Sequence, residues 1–155
     1  MNENGAVILV VDDNEDDVAL IRRAFAKTRL PKRVEVARDG TEAAKYLLGA
    51  TPFNDRVRYP LPHLVLLDLK MPRVGGFEVL EVIKGAARTK WIPVVVLTSS
   101  SEPVDIKRSY DLGANSYLVK PVAFHEFTRL VAEIEKYWLA LNTSPAVEVR
   151  VGAGY

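Results

Sequence analysis

Short apolar runs rich in valine and leucine recur along this chain, most of them bounded by Gly, Pro, Asp or Asn and each followed by a helical pattern. Runs this short suit strands better than helices. Their alternation with helical patterns is the signature of βαβ units and a parallel sheet covered on both faces. The predicted strands are 7–11, 34–37, 64–67, 94–98 and 116–119, and the predicted helices are 16–28, 41–48, 76–84, 104–112 and 123–141. Strict alternation of the two makes five βα units, an α/β chain with a doubly wound five-stranded parallel sheet. At 155 residues one hydrophobic core suffices.

Local signals sharpen this reading. Asn14 stands where an N-cap belongs, and Glu15, Asp16 and Asp17 fill the first turn of the first helix, where the macrodipole favours negative charge. Gly113 is placed to end the fourth helix in a left-handed cap. In the last helix Phe127, Leu130, Val131, Ile134, Trp138 and Leu141 follow spacings of three and four, one stripe expected to face the sheet. Residues 49–62 carry three prolines and no periodicity, so they read as a long surface loop. Residues 6–141 are expected to form the folded domain and 142–155 a C-terminal arm or tail, within which 146–151 alternates apolar and polar like an edge strand.

Composition excludes several function classes. A formal charge of +1 gives no field that would draw the chain to nucleic acid or an anionic membrane. The sequence contains no cysteine, which removes disulfides, thiolate metal sites and thiol catalysis and fits a reducing cytoplasm. No apolar run approaches the roughly 18 residues of a membrane span. His63 and His125 lack metal-ligand spacing to one another and read as incidental.

Chemistry gathers where the strands end. Asp12 and Asp13 follow the first strand, Asp68 the third, Thr98-Ser99-Ser100 the fourth and Lys120-Pro121 the fifth. In doubly wound sheets ligands bind beyond the carboxyl ends of the strands. Three carboxylates meeting there need raised pKa values or a divalent cation. Magnesium prefers carboxylate, water and phosphate oxygens in octahedral geometry, and Asp13 and Asp68 can supply two of them. A phosphoryl group on Asp68 would find an ammonium in Lys120 and a hydroxyl in Thr98.

This ordered set resembles the receiver domain of bacterial response regulators. The residues that carry the resemblance are the Asp12-Asp13 pair, Asp68 followed by Leu69-Lys70-Met71-Pro72 and Gly75-Gly76, Thr98-Ser99, and Tyr117-Leu118-Val119-Lys120-Pro121. The resemblance implies the flavodoxin-like strand order 2-1-3-4-5. It also implies the roles. Asp68 accepts a phosphoryl group from a histidine kinase. Mg2+, or Mn2+ in its place, is held by Asp13, Asp68 and the backbone carbonyl of Lys70, with Asp12 acting through water. Lys120 pairs with the phosphoryl oxygens, and the Lys120-Pro121 bond is cis. Thr98 senses the phosphoryl group and Tyr117 turns inward as Thr98 moves. Leu20, Pro121 and Val122 are expected to dock the kinase.

Other functions fit the residues less well. A flavodoxin-like flavin or nucleotide binder needs backbone N–H donors after the first strand, where this chain has a run of acidic residues. An aspartyl phosphatase of the haloacid dehalogenase type needs an aspartate two residues after the nucleophile, and that position is Lys70. A degenerate receiver would lack residues that are all present here. The expectation is a stand-alone cytoplasmic regulator whose only catalysis is its own phosphorylation and dephosphorylation. The segment after Leu141 is too short for a DNA-binding domain and carries one basic residue, Arg150. The long loop, the run Thr98-Ser99-Ser100-Ser101 and Tyr137-Trp138 look most like regulators paired with phytochromes. A phytochrome kinase is therefore the expected partner, alongside a second copy of the chain.

Overall fold

A computed structural model describes residues 5–145. Five strands, β1 (Ala6–Val11), β2 (Lys32–Ala37), β3 (Leu64–Leu67), β4 (Val94–Thr98) and β5 (Ser116–Val119), alternate with five helices. The helices are α1 (Glu15–Ala26), α2 (Gly40–Leu48), α3 (Gly76–Gly85), α4 (Pro103–Asp111) and α5 (Phe124–Glu135). All strand pairs are parallel, in the order β2-β1-β3-β4-β5. The strands alternate their side chains between two cores. Leu9, Val11, Val65, Leu67, Val94 and Val96 pack with α2 and α3, while Ile8, Val10, Leu64, Leu66, Val95 and Leu97 pack with α1 and α5. Burial on both sides explains why β1, β3 and β4 carry no polar alternation, whereas the half-buried edge strand β2 alternates at Val34-Glu35-Val36.

Three strands coincide with their predicted limits, and β1 and β2 begin one and two residues earlier than expected. Asn14 caps α1 by accepting from the Asp17 N–H at 3.1 Å, and Gly113 adopts a positive φ of 102° after α4. The last helix departs from expectation. Regular α-helix stops at Glu135 and the chain continues as a π-helical turn, Lys136–Leu141. Phe127, Val131 and Ile134 are buried as expected, and Leu130 and Trp138 pack against the same core. Leu141 is 64% exposed, because the wider turn carries it off the stripe while Leu139 takes up the packing.

Residues 49–62 form more than a surface loop. Arg56 donates to the carbonyls of Tyr46 and Leu47 at 2.7 and 2.8 Å, and Tyr46, Phe53 and Tyr59 pack their rings together. The guanidinium bonds the Leu47 carbonyl at the end of α2 and joins the Gly49 N–H on the Tyr46 carbonyl. At the far end of the sheet Lys32 pairs with the buried Glu135 at 2.7 Å, and both bond Thr28, tying β2 and α1 to α5. His63 accepts the Val7 N–H on Nδ1 at 3.0 Å, so this histidine anchors the start of β1. Burial lowers its pKa. The expected edge strand at 146–151 lies outside the described residues.

Candidate functional site

The sheet ladder delivers the carboxylates. Asp12 N–H bonds the Ala37 carbonyl at 3.0 Å and Asp68 N–H bonds the Val11 carbonyl at 2.9 Å, so both residues extend their strands by one position. Beyond β1 the chain turns at once into α1, because Asp12 Oδ1 accepts the Asn14 N–H at 2.9 Å. Gly76 lets the start of α3 lie against Asp68, since a Cβ there would meet the Asp68 carbonyl oxygen at 2.4 Å. The loop between carries Arg73 at a φ of 65°, and Val74 is held by the Gly40 N–H at 3.1 Å.

Asp12, Asp13 and Asp68 bring ligand oxygens within 4.8 Å of one another. Asp12 and Asp68 are buried and Asp13 is exposed. An all-oxygen donor set of three carboxylates, one open to solvent, suits a hard divalent cation. Lys70 comes two residues after Asp68 with its side chain in solvent, its N–H 3.4 Å from Asp68 Oδ1.

Lys120 faces the same cluster. Its N–H bonds the Thr98 carbonyl at 2.7 Å, and its Nζ reaches Asp12 Oδ2 at 2.8 Å and Asp68 Oδ2 at 3.4 Å. Nζ also reaches Asp17 Oδ2 at 2.8 Å. Burial pushes the Asp12 carboxyl up to about 6, against the pull of the Lys120 ammonium and the Asn14 N–H. Burial alone would lower the Lys120 pKa, but its bonds to Asp12 and Asp17 outweigh that and raise it. The ammonium therefore stays charged, and Asp12 carries the desolvation cost.

Thr98 ends β4 fully buried, and its hydroxyl has no hydrogen-bond partner among the described residues. A buried hydroxyl left unpaired costs free energy, which makes it a site for an incoming acceptor. Tyr117 is half-buried and donates its hydroxyl to the Ser100 carbonyl at 2.8 Å. Ser100 is buried and donates to Asp105 at 2.6 Å, fixing the start of α4. Leu20 and Pro121 are half-buried, and Val122, next to Pro121 in the chain, is fully exposed.

One backbone expectation fails. The single cis peptide bond among the described residues is Thr51-Pro52, so Lys120-Pro121 is trans. The trans chain already carries Nζ to three carboxylates, and aiming the ammonium requires no cis bond. The sequence reading also missed Asp17, which it took for a helix-start charge. The signal was available: an N-cap at Asn14 puts Asp17 in the first turn of a helix that opens at the carboxyl edge of the sheet.

The profile of the response regulator receiver domain matches residues 8–132. Among curated proteins, the chain is 44% identical over 143 residues to the probable methanogenesis regulatory protein FilR2 of Methanothrix harundinacea, covering 92% of this chain and 90% of that one. It is 36% identical to response regulator Rcp1 of Synechocystis over 140 residues, 90% of this chain and 93% of the other. The Mn(2+)-bound form of Rcp1 superposes with a TM-score of 0.85, covering 91% of this chain and 99% of that chain. The phosphorylated cyanobacterial phytochrome response regulator RcpA superposes with a TM-score of 0.88 at 39% identity, covering 92% and 99% of the two chains. No helix among the described residues is long and apolar enough to cross a membrane. The chain belongs to the response regulator receiver domain family, and its function is that of a two-component response regulator.

Proposed function

We propose that Asp68 is the phosphoacceptor of a magnesium-dependent phosphotransfer from a sensor histidine kinase. The observation that carries the reading is the buried, unpartnered hydroxyl of Thr98 at the strand edge that also bears Asp68 and Lys120. An Asp68 carboxylate oxygen forms a bond to phosphorus as the N–P bond of a phosphohistidine breaks, and the imidazole departs with the electron pair. Lys120 neutralises one phosphoryl oxygen and Thr98 donates to another. Asp13, Asp68 and the Lys70 carbonyl would hold the cation, with Asp12 contacting it through water. Mg2+ would supply charge neutralisation for the transferring group. Tyr117 would exchange its bond to Ser100 for an inward position as Thr98 turns.

Incubation with a small phosphodonor and magnesium, followed by intact mass, should add one phosphoryl group to the wild type. Equal labelling of Asp68→Asn would remove the assignment.

The likeness to RcpA and Rcp1 supports a phytochrome kinase, with Leu20, Pro121 and Val122 on its docking face. We place the receiver unit at 6–141 and treat 142–155 as an arm contributing to a homodimer in the cytoplasm, with no nucleic-acid contact. The exposed Tyr137 beside the half-buried Trp138, rings 4.9 Å apart, leaves aromatic surface for that contact. Light-scattering mass of the full chain and of one ending at Asn142 tests the dimer: a monomer in both ends the idea.

A further inference from the structure

Lys120 sits off-centre in its own site. Nζ lies 2.8 Å from Asp12 and Asp17 but 3.4 Å from Asp68. A closed ring of bonds holds it there. Asp12 accepts from the Asn14 N–H, Asn14 accepts from the Asp17 N–H, and Asp17 and Asp12 both accept from Lys120. Because the Asn14 cap fixes the first turn of α1, Asp17 presents a preset carboxylate to the ammonium. Asp12 is one of the three clustered carboxylates and, in the proposed function, faces the cation through water. Asp17 belongs to neither the cation cluster nor the acceptor.

We propose that Asp17 is a positioning residue, a latch that holds the Lys120 ammonium away from Asp68 until a phosphoryl group competes for it. The inference rests on Asp68 being the phosphoacceptor. In the resting protein the latch withholds the ammonium from the acceptor. On phosphorylation the ammonium is drawn toward the new dianion, and part of that attraction is spent breaking the Asp17 contact. Asp17 therefore weakens the phosphorylated state and shortens the shift that Lys120 can sustain. Asp16, one residue earlier, is exposed and makes no bond to Lys120, so it supplies an equal charge without a latch.

The test is calorimetric binding of beryllofluoride, a phosphoryl mimic, to the intact chain at saturating Mg2+. Asp17→Asn keeps the side-chain size but weakens a charge-assisted bond, and should tighten binding by about tenfold. Asp17→Glu, which keeps the charge, should move toward wild type, and Asp16→Asn should bind as wild type does. Equal affinity of wild type and Asp17→Asn overturns the latch, and so does equal tightening by Asp16→Asn, which would mean general charge repulsion. If wild type binds no better than Asp68→Asn, the phosphoacceptor assignment itself falls and the latch with it.

Discussion

Replacing Asp12 with Asn should stabilise the metal-free protein, and the structure sets the size of the effect. Asp12 is 2% exposed, and its pKa rises from 3.8 to about 6 because burial outweighs the help of Lys120 and the Asn14 N–H. A raised carboxyl means that the native state binds this proton more tightly than the unfolded chain. Its contribution is complete below pH 3.8 and is lost as the pH rises through about 6. A shift of about two units at roughly 1.36 kcal/mol each makes the ionised Asp12 cost about 3 kcal/mol at pH 8. Asparagine copies the protonated carboxyl, so the variant should gain up to about 3 kcal/mol there, or about 6–12 °C in Tm. At pH 4 the gap should nearly close. Denaturation in EDTA from pH 4 to 8 measures it, and millimolar magnesium should narrow the difference by neutralising the wild-type cluster. A variant no more stable at pH 8, or a gap that ignores pH, would refute the argument that Asp12 carries the desolvation cost of the site.

Glu135→Ala should lower stability by about 3–5 kcal/mol in chemical denaturation, because Lys32 would keep a buried charge without its partner; a loss under 1 kcal/mol would leave the pair unimportant. Arg73→Gly should gain about 0.5–1 kcal/mol by relieving the left-handed φ of 65°, and a loss would show that the arginine side chain contributes contacts that outweigh the strain. His63 is a neutral acceptor with a lowered pKa, so its contribution is complete above pH 6.5 and fades as pH falls below it. His63→Asn should flatten that part of the stability curve between pH 7 and 5, and an unchanged slope argues against it. Leu20→Ala should slow phosphotransfer from the kinase and leave labelling by a small phosphodonor unchanged; parallel loss of both would point to a damaged fold.

The central strands were legible because they are buried on both faces, so predicted and observed limits coincide at 64–67 and 94–98, and the half-buried β5 also keeps its predicted limits of 116–119. The partly exposed edge strand β2 begins with Lys32 and Arg33, which interrupt the pattern, and its start was read two residues late. The carboxylates and Lys120 were legible from their positions at strand ends. Contacts between a side chain and something distant in sequence were not. Lys120 meets Asp17 across 103 residues, Thr28 meets Glu135 across 107, and Arg56 finds carbonyls nine and ten residues back. No periodicity encodes such partners. The exposure of Leu141 was hidden for a different reason, since a change of helical pitch leaves hydrophobic spacing intact while rotating what it points at.

That change of pitch bears on how such a chain can vary. A π turn is geometrically an α-helix that has accepted one extra residue without unravelling. In Lys136–Leu141 the extra residue comes after Ile134, the last fully buried residue of the stripe, so the centre of the core keeps its packing while Trp138 and Leu139 at its margin, and everything downstream, turn by a fraction of a revolution. Deleting one residue between 136 and 141 should restore regular pitch and swing the rest of the chain to a new heading. A single-codon event would thereby redirect where the chain leaves the domain after Leu141, with the carboxylate cluster at the other end of the sheet untouched.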